Sequence, residues 1–378
     1  MYPYEVMDTK FIKVNPGKPD LDVMREAARL VDEGGLVVFP TETVYGVACK
    51  ASAEAINRLS EAKGRTPEKY YTLHIGQKSD LAKYVPSPGL VARQLVKKAW
   101  PGPLTIVFEL SEEDIEIARG KVGNELFGLL YHDNTIGIRC PDNVIASLLL
   151  THSDSAVVAP SANLTGQSPA TSGEQAYEAL KGRVDMVLDG GQCQYQKSST
   201  VVKVDSAGMQ FLRAGVYEQR DVEAMAQVHI LFVCTGNTCR SPMAVGICRK
   251  YLAQKLDCSV DQLEKMGYKI SSAGTMTIAG WPGSAEAVEV CRVKGVDISG
   301  HRSTPLSTRL IEQSDIIFAM AQQHRKAVLD MVPTAADKCF LLDSRDIPDP
   351  IGGTERDYYY CAELIEKALL QKISELVK

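Results

Sequence analysis

The sequence lacks the features that carry a chain into or across a membrane. No apolar run reaches the roughly 18 residues that mark a spanning helix, and Met1 to Lys18 shows no succession of basic, apolar and cleavage segments. A cytoplasmic location with no membrane partner is the expectation. An excess of one charge is missing as well, with a formal net charge of −5 and a pI near 5.8. That balance argues against an extensive direct nucleic-acid surface and leaves room for a local basic pocket. There is no low-complexity tract and no internal repeat. The ten cysteines stand at irregular spacings, so free thiols in a reducing compartment are expected. What is present is an ordinary globular composition, 45% hydrophobic and 24% charged over 378 residues, enough for about two domains with a sizeable core in each.

The chemistry is densest in His229-Ile-Leu-Phe-Val-Cys234-Thr235-Gly236-Asn237-Thr238-Cys239-Arg240-Ser241-Pro242. Residues 230–233 predict a short buried strand, a loop runs to Arg240, and Ser241-Pro242 predicts a helix start. A strand, loop and helix N-terminus in that order binds anions. The loop turns backbone N–H groups inward, the helix dipole adds positive potential, and Arg240 supplies a two-pronged grip. Cys234 is then expected under a phosphoryl group with a lowered pKa. Gly236 and Asn237 tolerate the left-handed backbone of a tight cradle. A buried structural thiol is the bland alternative for Cys234. Spacing alone does not decide, because Cys339 is also followed six positions later by an arginine, Arg345. That segment has no glycine, reads as a strand end, and carries Asp343, which would repel phosphate.

In the first half, residues 21–32 space their apolar groups as a helix stripe ended by Gly34-Gly35, and residues 36–39 read as a strand. The polar turn Pro40-Thr41-Glu42-Thr43-Val44-Tyr45-Gly46 follows at a strand end, where open α/β sheets place ligands. A helix over 53–63 ends in Lys63-Gly64-Arg65-Thr66-Pro67-Glu68-Lys69, whose cations can clamp a polyphosphate or merely solvate a loop. Short strands at 72–75, 105–108, 136–139, 157–158, 200–204 and 211–213, with a helix at 89–100, complete a mixed sheet. His74 stands on such a strand, either in a pocket or as a satisfied core histidine.

The motifs PTETVYG (40–46), Lys63-x-Arg65, WPGPLT (100–105), IGIR (136–139), SAN (161–163), Ser199-Thr200-Val201-Val202 and LRAG (212–215) together resemble the YrdC-type threonylcarbamoyl-adenylate synthases over residues 8–217. The resemblance implies a twisted α/β sheet around a positively charged concave pocket. It also implies a reaction in which L-threonine, bicarbonate and ATP with Mg2+ give threonylcarbamoyl-AMP and pyrophosphate. A downstream tRNA threonylcarbamoyl transferase machinery would use that product for N6-threonylcarbamoyladenosine. Carried over, Lys63, Arg65 and Arg139 neutralise phosphate charge, Ser161 and Asn163 hydrogen-bond the nucleotide, and Thr41, His74, Ser199 and Arg213 shape the threonine and adenylate pocket. The chain departs from the family pattern at Thr66 and Tyr70-Tyr71, and residues 110–134 run long, as an expected insertion over the pocket.

Residues 218–227 are charged and read without core periodicity, so they are taken as a linker before a second unit at 228–378. There, strands at 269–272, 316–320 and 338–342 alternate with helices at 285–294, 322–331 and 356–377, which predicts a doubly wound parallel sheet with Cys234 at its carboxyl edge. Asp349, held between Pro348 and Pro350, offers a general acid. This half resembles the low-molecular-weight protein tyrosine phosphatases. The resemblance implies Cys234 as nucleophile, Arg240 as phosphate clamp, Asn237 as loop shaper, Ser241 as donor to the thiolate, and Asp349 as acid and then base. It also implies a protective role for Cys239, loop support from His301 and Asp315, a phosphoprotein substrate and no metal. CTGNTCRSPMA is most similar to the protein-arginine-phosphatase branch, with Thr235 suiting a polar guanidinium better than an aliphatic residue would. A two-headed enzyme is the leading expectation. The alternative is a protein-tyrosine phosphatase carrying a nucleotide- or RNA-binding regulatory domain.

Overall fold

The helix Leu21–Asp32 forms where its apolar spacing predicts, burying Met24, Ala27, Ala28 and Val31. Asp20 caps it by accepting the Asp22 N–H, and Gly34 leaves it at φ +89°. The structure is a computed structural model describing residues 8–64, 71–205 and 208–377. The chain makes two compact units, one mainly from residues up to 225 and the other from 226 onward.

The first unit is built on a ten-stranded mixed sheet: β1 (Lys10–Lys13), β2 (Val37–Phe39), β3 (Gly46–Lys50), β4 (Leu73–His74), β5 (Leu104–Glu109), β6 (Thr135–Arg139), β7 (Val157–Val158), β8 (Met186–Asp189), β9 (Thr200–Asp205) and β10 (Gly208–Arg213). Their order is β1-β8-β2-β3-β7-β4-β6-β5-β9-β10. Helices Leu21–Asp32 and Val144–His152 cover one face through Met24, Val31, Ile145 and Leu149, packed on Val37, Phe39 and Leu188. Each such fully buried side chain contributes about 1.5–3 kcal/mol. Strands β1 and β8 and the helices Val144–His152 and Gly173–Leu180 were not apparent in the sequence, because their apolar runs are short and without a clear period.

Two expectations change here. Residues 110–134 form helices Glu112–Val122 and Asn124–Leu130. In the β5–β6 pair Glu109 faces Thr135 while Thr105 faces Arg139, so this connection leaves the sheet at the end away from Arg139. It therefore does not cover the pocket. It packs against the short helix Leu81–Tyr84, where the Tyr131 hydroxyl donates to the Tyr84 carbonyl at 2.7 Å. Residues 218–227 are likewise more than a charged connector. Helix Gln219–Ala226 forms there with Val222 and Ala226 buried, a one-sided contact too short to register as a period.

The second unit holds β11 (Val228–Cys234), β12 (Tyr268–Gly274), β13 (Ile316–Ala319) and β14 (Cys339–Leu341), ordered β12-β11-β13-β14 and parallel throughout. The centre position of β11 explains why all seven of its residues are buried. Helix Arg240–Lys255 starts directly after the loop, two residues before Pro242, and buries Ala244, Ile247, Cys248 and Leu252. Cys339 is a buried residue opening β14.

Candidate functional sites

In the first unit the basic and hydroxyl groups gather in two hydrogen-bonded clusters. Arg139, at the end of β6, sends Nη2 to Glu42 Oε1 at 2.9 Å and Thr43 Oγ1 at 2.7 Å, with Thr41 Oγ1 at 3.4 Å. Both ions are nearly dry, their side chains 7% and 2% exposed. The Arg139 Nε is buried without a hydrogen-bond partner, so the guanidinium keeps a spare donor. Beside it, Thr105 and Ser199 share a 2.9 Å hydroxyl contact, and Arg213 Nη2 donates to the Ser199 carbonyl at 2.9 Å. His74 pairs with Arg139 across β4 and β6, and its Nδ1 meets the Thr72 carbonyl at 3.1 Å. Burial first, and then the charge of Arg139, push this histidine down to about 3, which keeps it neutral.

The other cluster is organised by Lys63, whose ammonium donates to the Ser161 and Asn163 carbonyls, the latter at 2.6 Å. Ser161 Oγ donates to Asn163 Oδ1 at 2.5 Å, and Asn163 Nδ2 donates to the Leu164 and Gln167 carbonyls. These side chains hold the backbone of 161–167 in shape. The segment 40–46 joins the clusters, since Thr41 and Thr43 meet Arg139 while Gly46 bridges to Ser161. Arg65, Thr66 and Tyr70 lie outside the described residues. Tyr71 places its hydroxyl 3.1 Å from Ser60 Oγ. Glu42 and Thr43 were missed as site residues, although an acid inside an otherwise apolar and hydroxylic turn was the available signal.

In the second unit the loop closes around Cys234. Its Sγ lies 2.9 Å from Ser241 Oγ and receives the Asn237 N–H at 3.2 Å. Asn237 sits at φ +53° and is fully buried. Its Nδ2 donates to Ser241 Oγ and Ser272 Oγ, its Oδ1 accepts the Thr304 N–H at 2.7 Å, and its carbonyl meets His301 Nε2 at 2.7 Å. Among the loop residues it alone adopts the left-handed region; Gly236 does not. The glycine this site needs is Gly274, since a Cβ there would stand 2.6 Å from the Thr235 carbonyl. Cys239 donates its S–H to Ser284 Oγ at 3.3 Å. Thr238 Oγ1 lies 3.6 Å from Cys239 Sγ.

Arg240, 4% exposed, donates through Nη1 to the Ile347 carbonyl at 3.2 Å and through Nη2 to Thr235 Oγ1 at 3.2 Å and to Asp349 Oδ2. The Asp349 side chain is 37% exposed, and Ile351 beyond it is open to solvent.

The lowered pKa expected for Cys234 is not the net result. Burial pushes the thiol up and outweighs the downward pull of Ser241, Arg240 and the Asn237 N–H. Asp315 also differs from expectation. Its carboxylate accepts the His229 N–H at 2.9 Å, five residues or about 17 Å along β11 from Cys234, so it anchors the strand start and not the loop. His324, Ser272 and Gly274 touch the loop from distant sequence positions, where no local pattern pointed to them. All ten cysteines are free thiols. No helix among the described residues is long and apolar enough to cross a membrane.

Comparison with known proteins divides the chain at the same place as its contacts. Residues 29–215 match the Sua5/YciO/YrdC family profile, described as "Telomere recombination", and residues 229–378 match that of the low molecular weight phosphotyrosine protein phosphatases. A threonylcarbamoyl-AMP synthase of Pyrococcus abyssi is 33% identical over 242 residues, 63% of this chain and 67% of that protein. A protein-arginine-phosphatase of Bacillus subtilis is 32% identical over 155 residues, 39% of this chain and 97% of that protein. A putative low molecular weight protein-tyrosine-phosphatase of Klebsiella pneumoniae is 34% identical over 145 residues, 37% of this chain and 92% of that protein.

Proposed function

Because the chain belongs to the Sua5/YciO/YrdC family in its first unit and to the low molecular weight phosphatase family in its second, we propose that it is a two-headed enzyme with domains 8–217 and 228–378. The second domain hydrolyses phosphorylated protein side chains, with phosphoarginine the preferred substrate. The observation that carries the phosphatase reading is the loop in which Cys234, Ser241 and Arg240 converge while Arg240 faces Asp349, and the phosphoarginine preference is supported by the likeness to protein-arginine-phosphatases. Cys234 first gives up its proton to solvent, its thiolate Sγ attacks phosphorus, the phosphorus–nitrogen bond breaks, and the departing guanidine nitrogen takes its proton from Asp349. Asp349 then removes a proton from water, whose oxygen displaces the sulfur and releases inorganic phosphate. Arg240 and the loop N–H groups stabilise the phosphoryl charge throughout.

The first domain joins L-threonine, bicarbonate and ATP into threonylcarbamoyl-AMP, releasing pyrophosphate and water, for a downstream transferase acting on tRNA. Support comes from Arg139, whose spare buried donor and hydroxyl neighbours suit an adenylate phosphate, and from the Lys63 cluster beside it. Arg65 would add a third cation. Magnesium would arrive with the triphosphate, whose phosphate oxygens are its usual ligands. A cytoplasmic enzyme is the corresponding location.

One observation favours phosphotyrosine instead. The Thr235 hydroxyl is already engaged by Arg240 and His324, which leaves less of it for a guanidinium. Side-by-side hydrolysis of phosphoarginine and phosphotyrosine peptides decides, with the larger kcat/KM expected for phosphoarginine and the reverse order overturning that preference. Pyrophosphate release dependent on both ATP and threonine tests the first domain, and its absence would overturn the synthase reading.

A further inference from the structure

His324 stands in helix Gln322–Met331, only 1% exposed, with Nε2 2.8 Å from Thr235 Oγ1 and Nδ1 buried without a hydrogen-bond partner. The same Thr235 oxygen lies 3.2 Å from Arg240 Nη2. A guanidinium only donates, so Oγ1 is the acceptor in that contact. Burial first, and then the charge of Arg240, push His324 down to about 4, so near pH 7 the ring is neutral and carries one N–H. A proton on Nδ1 would be a buried orphan donor, the costlier fault, whereas a proton on Nε2 is satisfied by Thr235. Gln323 Nε2, at 3.5 Å from His324 Nε2, is too distant to compete. Thr235 Oγ1 thus receives two donors and must aim its own proton away from both.

We infer that His324 is a positioning residue of the phosphatase: together with Arg240 it locks the Thr235 hydroxyl so that its proton is presented to a phosphoryl oxygen in the loop. The inference rests on the phosphatase reading above. It makes Thr235 a donor to the phosphoryl group, a role independent of what the phosphoryl group is attached to.

A double-mutant cycle on the full chain tests it, with p-nitrophenyl phosphate as substrate and inorganic phosphate as competitive inhibitor. His324→Leu should weaken phosphate inhibition about tenfold, as expected for loss of one oriented hydrogen bond to a charged group. The same change in a Thr235→Val background should cost less than about twofold, because the group it acts through is gone. His324→Asn, which can still donate to Thr235, should recover most of the loss and carries the cycle if His324→Leu does not fold. Equal losses in both backgrounds, or no rescue by asparagine, would overturn the role of His324 while leaving the phosphatase intact. A wild-type chain that does not hydrolyse p-nitrophenyl phosphate would overturn the phosphatase reading and this role with it.

Discussion

Each unit contains an arginine held by a carboxylate, and the two pairs differ in what surrounds the acid. Around Arg139 the partner Glu42 is 2% exposed and further tied through the Asp142 N–H at 3.1 Å. Around Arg240 the partner Asp349 is 37% exposed and sits between two prolines on a loop. A dry ion pair is costly to separate, because either charge left behind is unsolvated. Arg240 is as buried as Arg139, but its partner acid is partly solvated, so the acid can leave for water at less cost than Glu42 can. The first arrangement fixes an arginine in one orientation. On the phosphatase reading, the second would let a phosphate replace the acid, which would then be free to move protons.

The two units should separate most sharply at the proposed nucleophile. Cys234→Ser should lower phosphate release by about 10^4-fold or more. ATP- and threonine-dependent pyrophosphate production should stay at the wild-type level, and a parallel loss of both would show that the units do not work independently.

Next in size is the contrast between the acids themselves. Glu42→Ala should destabilise the first unit by about 3–5 kcal/mol in urea unfolding, leaving Arg139 buried and unpaired. Asp349→Ala should cost less stability than Glu42→Ala, because water reaches the space left by the partly exposed acid and Arg240 keeps the Ile347 carbonyl and the Thr235 hydroxyl, but it should cut kcat by about 10^2-fold or more. Similar stability losses from the two variants would erase the distinction between them.

A smaller effect concerns pH. The Ser241 hydroxyl pulls the Cys234 thiol downward, so its removal raises the thiol further and thiolate forms only at higher pH. For Ser241→Ala the acid limb of the iodoacetamide alkylation profile should therefore move upward; an unmoved or downward-shifted limb would contradict the contact. The smallest expected change is in preference. Thr235→Ile should shift the ratio of phosphoarginine to phosphotyrosine hydrolysis several-fold toward the aryl substrate, as methyl-sized pocket changes do. An unchanged ratio would remove Thr235 from the specificity argument.

The legibility of the sequence followed the same divide. The Cys234 loop could be read because its parts are contiguous: strand, turn residues and helix start carry their own local signals. The parallel sheet was equally open, since β11 to β14 alternate with amphipathic helices. The partners that complete the loop were not, because Ser272, Gly274 and His324 reach it through tertiary folding and leave no spacing to recognise. In the first unit, the mixed strand order brings Glu42 to Arg139 from 97 residues away, which no periodicity records. The pKa of Cys234 was misjudged for a related reason. Local dipoles and Arg240 are visible in sequence, whereas the depth at which the sulfur is buried is not.

The hydrogen bonds around Asn237 carry a thermodynamic consequence. With both side-chain ends and the carbonyl already bonded to the surrounding framework, the backbone of the loop is ordered before any ligand arrives. An incoming oxyanion then meets a loop whose backbone is already set, and little chain entropy is lost when it docks. Calorimetry of inorganic phosphate on the wild-type chain should accordingly show a small entropic penalty, growing in Asn237→Ala as the loop must order itself around the ligand.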